Sequence, residues 1–300
     1  MIEWLTSIEG TETGRHVAMG LALMSAVAHA IFGALQKGRH DPWLSRGAID
    51  LWIAILAAPV ALFLVPWPEG HVWAILAGAM VIHFIYKLLM AMAYSRAAYT
   101  VVYPVVRGSG PLMTVSFAAI VFSEHYALMQ WFGVALLSGG ILMLAWLNLH
   151  HVTIGRKALV SGLLIAFAGG ISVAVYTTYD AYGIRATPNP FTFLAWFFFL
   201  TQLDFPFIAA WRYTHMTDPP TPGPLMLRGF IGAIIAFFSF GGVMLATRLD
   251  KVGEAAVLRE TSVVFAALIG WLFLKEKVGP ARAALMGVIA LGAILVEFGH

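Results

Sequence analysis

The sequence predicts an all-α integral membrane protein, with ten transmembrane helices arranged as two inverted five-helix repeats around a central cavity. Three observations carry this expectation. Of 300 residues, 60% are hydrophobic and 11% charged, against roughly 25% charged in an ordinary soluble domain; a soluble chain of this length cannot bury so much apolar surface. The apolar residues gather into runs of about 20, the length that crosses a bilayer. Finally, two distant stretches repeat each other's ionisable residues.

Taken in order, residues 1–14 carry Glu3, Glu9 and Glu12 and no Lys or Arg. A secretory leader starts basic and continues apolar, so this segment reads as a short polar tail. The expected spans are Val17–Leu35, Gly47–Pro66, Val72–Tyr94, Val101–Phe122 and Leu128–Leu147, then Leu159–Tyr179, Phe191–Trp211, Leu225–Ala246, Ala255–Leu274 and Ala281–Phe298. Short links such as "PWPEGH", "SEHYA" and "LKEKVGP" supply charge, Pro and Gly where helices should stop. They leave no room for an extramembrane domain. Trp43, Trp67, Trp73, Trp131, Trp146 and Trp211 fall near span ends, as interfacial anchors do. The net charge of +3 is spread over the links, which suits membrane topology and not nucleic acid. Lys and Arg concentrate in the odd-numbered links, which would place those inside and both termini outside.

The repeat aligns "YSRAAYTVVYPVVRGSGPLMTVSFAAIVFSEHY" with "ATRLDKVGEAAVLRETSVVFAALIGWLFLKEKV". At one constant offset, Arg96 meets Arg248, Arg107 meets Arg259 and Glu124 meets Glu276; a short insertion then brings Gly133 onto Gly287. The units are 15–150 and 151–300. Five spans per unit is an odd number, so the second unit enters the membrane from the opposite side. That is the inverted repeat of many secondary transporters, whose site lies near the midplane between the halves.

At these residues the chain resembles the drug/metabolite transporter superfamily, of the ten-helix EamA type. The block "VVYPVVRGSGPLMTVSFAAIVFSEHYALMQWFGVALLSGGILML" is similar to that family's Pro-containing fourth helix, its terminal Glu and its Gly-rich fifth helix. "AAVLRETSVVFAALIGWLFLKEKVGPARAALMGVIALGAIL" is similar to the second copy. The resemblance implies a cavity lined by helices one, three, four, six, eight and nine. It also implies that helices five and ten lie outside as a surface for homodimers, that the termini are cytosolic, and that the location is a bacterial inner membrane. Family members export amino acids or other small metabolites, while relatives carry nucleotide sugars, triose phosphates or choline.

The polar residues fall on one face of each of those helices, at steps of three and four. Helix one offers Ser25 and His29, and helix three His83, Lys87 and Tyr94 with Tyr86 beside them. Helix four offers Tyr103 and Arg107 with Tyr99 a turn earlier, helix six Tyr176, Tyr179 and Asp180, and helix nine Arg259 and Ser262. Helices two, five, seven and ten carry far less polar matter. Arg107 and Arg259 lie near opposite ends of the bilayer if the halves are inverted, so one Arg is expected in each vestibule. Each reads either as an anion ligand or as a structural ion pair, with Glu254 or Glu260 as partner. Lys87 pairs with Asp180, meets a substrate anion, or lies neutral because burial disfavours its charge. His29 and His83 read as proton carriers, substrate ligands or hydrogen-bonded packing groups. The tyrosines suit an amphipathic cargo. Glu124 and Glu276 precede helices five and ten and are expected to cap their N-termini.

Other classes lack their residues. There is no Cys, no HExxH, no GxSxG and no phosphate-binding loop, so neither an enzyme nor an ATP-driven pump is expected. No cofactor or metal is expected either, since His29 with His83 has no ligand spacing. The partners expected are a small-molecule substrate and membrane lipid. Basic groups beside Asp180 and Glu260 suit an amino acid, and two Arg with a Lys suit a phosphorylated, phosphonate or sugar-nucleotide-like anion equally.

Overall fold

The computed structural model describes residues 2–36, 41–96, 99–149, 156–274 and 279–299. They form α1 (Ile2–Ile8), α2 (Glu12–Gln36), α3 (Pro42–Pro59), α4 (His71–Arg96), α5 (Tyr99–Val121), α6 (Leu128–Leu149) and α7 (Arg156–Ala186). The chain continues as α8 (Pro190–Leu200), α9 (Asp204–Thr214), α10 (Pro222–Ala236), α11 (Gly242–Leu249), α12 (Val252–Glu260), α13 (Ser262–Leu274) and α14 (Pro280–Phe298). Among the described residues there is no strand, and eight helical stretches are long and apolar enough to cross a membrane. Of the two other expected spans, the fourth lies within α5, whose apolar part is Val105–Val121. The ninth is divided between α12 and α13.

Helix starts follow local chemistry. Asp41 accepts hydrogen bonds from Trp43 N (2.9 Å) and Leu44 N (3.2 Å) at the head of α3, and Asn189 accepts from Phe191 N (2.9 Å) at the head of α8. Each cap is followed by Pro at the first helical position, where a missing N–H costs nothing.

The interruptions are equally local. Pro206 sits in the first turn of α9, where its ring forbids a continuous helix through residues 201–203. Between α12 and α13 the Thr261 hydroxyl bonds back to Leu258 O (2.6 Å), competing with the helical ladder. Pro111, inside α5, has no N–H to give to the Arg107 carbonyl. A π-turn at Phe237–Gly241 joins α10 to α11, the kind of bulge that re-aims side chains.

Packing places these interruptions at the centre. The helices α4 and α5 lie against α7, while α11, α12 and α13 lie against α2. The close pair α6 and α14 meets at Gly133 and Gly292, where a Cβ on either would stand 2.7 Å from the other's carbonyl oxygen. No larger residue permits that approach. Outward-facing Phe63, Ile120, Leu128 and Phe207 present apolar surface to lipid.

Three expectations change here. Residues 1–14 are not simply a tail: α1 docks through buried Leu5 and Ile8, and Glu9 pairs with Arg248 (2.5 Å). Span six extends beyond Tyr179 to Ala186, which puts Asp180 inside the helix. Glu124 caps a different helix from the one expected. It accepts from Val252 N (2.8 Å) and Gly253 N (3.3 Å) at the start of α12, while Gln130 accepts from Ala127 N (3.0 Å) at the start of α6. The loop folds across to the other half, so the acid meets that helix's positive end. Burial and the adjoining Glu124 carboxylate push the phenol of Tyr126, which shares this cap, above its ordinary range. Glu276 lies outside the described residues.

Candidate functional site

Two buried ionic clusters occupy the middle of the bundle. The central one draws on α2, α4, α5, α7, the π-turn and the α12–α13 break. Arg107 Nη1 donates to Glu260 Oε1 (2.6 Å), and Arg107 Nη2 meets His29 Nε2. A guanidinium has only donors, so His29 Nε2 accepts and its proton sits on Nδ1, which lies 3.1 Å from Ser239 Oγ. Ser25 donates to the Ser239 carbonyl, which fixes the π-turn against α2. On the facing side, His83 Nε2 lies 2.8 Å from Asp180 Oδ2. The His83 ring packs on Tyr176 and Phe197, and Tyr176 on Tyr86.

Arg259 differs from its twin. Its guanidinium stacks over Phe240 at 4.7 Å and is 2% exposed. Among the described residues its Nε and Nη2 have no hydrogen-bond partner. Nor do Asp180 Oδ1, Glu260 Oε2 or Ser262 Oγ. Buried polar groups are satisfied as a rule, so donors and acceptors left open together in one cluster are available to a polar ligand or water. Among the described residues, the cavity that Arg46, His83, Gln202 and Phe240 help to line measures ≈ 10 Å³, room for about one water.

The second cluster surrounds the α8–α9 break. Lys87 Nζ donates to Asp50 Oδ2 (3.1 Å), to the Thr201 carbonyl (2.7 Å) and to Asp204. Arg46 Nε lies 2.7 Å from Asp50 Oδ1, and Arg46 Nη2 donates to Gln202 Oε1 (3.1 Å).

Comparison with known proteins follows this geometry. Residues 160–298 match the model of the EamA-like transporter family. A crystal structure of a protein is similar to the whole chain, with a TM-score of 0.70 and 18% identity, covering 96% of this chain and 99% of that one. At that identity the likeness is one of fold. The uncharacterized protein y4nH of Sinorhizobium fredii is 38% identical over 68 residues, which are 23% of this chain and 58% of that relative's length. That match and the eight helices of membrane-spanning length and hydropathy support an integral, multi-pass membrane protein.

The matched residues 160–298 contribute Tyr176, Asp180, Arg259, Glu260 and Ser262 to the central cluster, and the first half contributes His29, His83 and Arg107. The expected Lys87–Asp180 pair is not formed, since each has another partner. The two arginines do not occupy separate vestibules. Arg107 is bonded to the residue next to Arg259, and both guanidinium groups act electrostatically on His29 and Tyr176. The broken ninth helix brings its Arg inward, which a depth count along a straight helix cannot anticipate. Glu254 bonds Gln130 (2.8 Å) and Lys251 (3.0 Å) and neither arginine. Tyr86 and Tyr94 pack against the apolar group containing Val102, Val106 and Ala166, and Tyr179 crosses Gly78 of α4. The side chains of Tyr99 and Tyr103 lie outside the described residues.

Sequence reasoning missed Asp50, Ser239, Gln202 and Asp204, three of them on helices read as apolar. The signal was present: a lone carboxylate inside the Gly47–Pro66 run, and "TQLD" in the middle of a span.

Proposed function

We propose that this protein is a secondary transporter that moves amino acids or similar small zwitterionic metabolites out of the cell, across a bacterial inner membrane, by alternating access. The observation that carries this reading is the set of open groups at the centre: two Arg259 donors beside the unbonded oxygens Asp180 Oδ1 and Glu260 Oε2. A carboxylate suits the guanidinium, and an ammonium suits the carboxylate oxygens. Dense negative charge would meet those same two acids, so a phosphorylated or sugar-nucleotide-like cargo fits less well.

An inverted-repeat architecture is supported by paired contacts. Helix α4 packs on α7 as α11 packs on α2, and α5 packs on α7 as α12 and α13 pack on α2. Arg15, at the head of α2, lies 3.6 Å from Glu297 at the tail of α14, consistent with an even number of crossings.

Exchange in proteoliposomes tests the proposal, with labelled amino acids set against phosphorylated solutes. Counterflow of at least one amino acid is expected, reduced by at least about tenfold in Arg259→Gln, as for a lost charge-assisted hydrogen bond. Exchange of phosphorylated solutes alone would shift the reading to the anionic cargo. Exchange of neither class would remove it.

A further inference from the structure

The Lys87 cluster borders the central one across the small cavity that Arg46, Gln202, His83 and Phe240 help to line, but the bonds of its ammonium are all internal. An ammonium has three hydrogens, and here each has an oxygen: Asp50, Asp204 and the Thr201 carbonyl. Thr201 lies just beyond α8, where the chain has left the helix and the terminal carbonyls carry partial negative charge. Two carboxylates and a carbonyl at a helix break are also hard oxygen ligands of the kind that hold alkali and alkaline-earth cations. In transporters with discontinuous helices, unwound carbonyls of this kind coordinate coupling ions. Lys87 and Asp50 are 2% and 0% exposed, so the cage is built in the interior and charge-balanced there by Lys87 and Arg46.

We propose that the oxygens of Asp50, Asp204 and Thr201 form a monovalent-cation cage which the Lys87 ammonium fills from within, so that the transport cycle needs no sodium or potassium ion. The lysine is a tethered cation: it neutralises the two acids and ties α3 and α4 to the α8–α9 break without a diffusible ion. Removing the side chain leaves the oxygens and the negative charge, together with space for an ion and its water.

The test is thermal unfolding of the detergent-purified full chain in NaCl, KCl and choline chloride at equal ionic strength. The wild type is expected to unfold at one temperature in all three. Lys87→Ala is expected to be less stable in choline chloride and to regain at least about 3 °C in NaCl or KCl. Adding Asp50→Asn to Lys87→Ala removes one cage ligand and should abolish that response. Equal midpoints for Lys87→Ala in all three salts overturn the proposal. So does failure of that variant to fold even in NaCl and KCl, because a cage able to take those ions would then be filled. Stabilisation of the wild type by sodium or potassium overturns it as well. The readout is unfolding, so this proposal and the carrier reading can fail separately.

Discussion

Removing the Glu260 carboxylate would take away the charge that balances the Arg107 guanidinium, which is bonded to it at 2.6 Å with both side chains about 5% accessible. Breaking one partner of a buried pair costs about 3–5 kcal/mol, whereas an apolar pair of similar volume costs little. Glu260→Ala should therefore lower the thermal unfolding midpoint sharply, and Arg107→Met with Glu260→Leu should recover most of the loss while abolishing exchange. Arg259 should behave in the opposite way. Its Nε and Nη2 make no hydrogen bond among the described residues, so Arg259→Gln gives up little folding energy. Its midpoint should stay close to wild type while exchange is lost. A large fall in stability for Arg259→Gln would mean that its role is structural.

Helical elements in this molecule are fastened to one another at their ends and interruptions. The N-terminus of α12 is capped by Glu124 from the loop that follows α5, reinforced by Tyr126, whose hydroxyl lies 3.1 Å from Gly253 N. Glu124→Ala should cost about 0.5–2 kcal/mol, the usual value of a lost N-cap, whereas His125→Ala, on the exposed side of the same loop, should be neutral in the same denaturation experiment. The α6–α14 pair depends on shape instead of charge. Gly292→Leu would drive a side chain into the Gly133 carbonyl and the Leu137 backbone nitrogen, both 2.7 Å from its Cβ. Overpacking against backbone cannot relax by a rotamer change, so that variant should separate the helices and lose folded yield.

At the scale of the whole molecule, polar latches join the elements at both ends of α2. At one end Arg248 binds Glu9 and the carbonyls of Ile184 and Thr187, and Arg185 binds the Thr247 and Asp250 carbonyls. At the other, Arg212 holds Asp41 at 2.7 Å, and Arg228 reaches the Leu35 carbonyl. Alternating access requires each latch to release in turn. The chain has no native Cys, so introduced pairs report cleanly. Bridging Asp41→Cys to Arg212→Cys, or Glu9→Cys to Arg248→Cys, with a reducible bifunctional reagent should stop exchange in either case, and reduction should restore it. Undiminished exchange with one end bridged would rule out a cycle that opens both.

The sequence by itself determined the class of solvent, the all-helical architecture and the polar faces. Each of these is local: a bilayer demands about 20 apolar residues per crossing, and a polar face shows at steps of three and four. His29, His83, Arg107, Asp180 and Arg259 were legible for that reason, as was the likeness of Arg107 to Arg259. Only the tertiary structure decided which charges meet: Arg107 with Glu260, Lys87 with Asp50 and Asp204, and Glu124 with the head of α12. Those pairings join residues far apart in the chain and depend on breaks at Thr201–Leu203 and Thr261, which turn side chains inward. Local periodicity carries no information about such distances. In a low-dielectric interior a buried charge is costly unless it is paired, and the packing of the helices determines which of these charges reach a partner and which partner they reach.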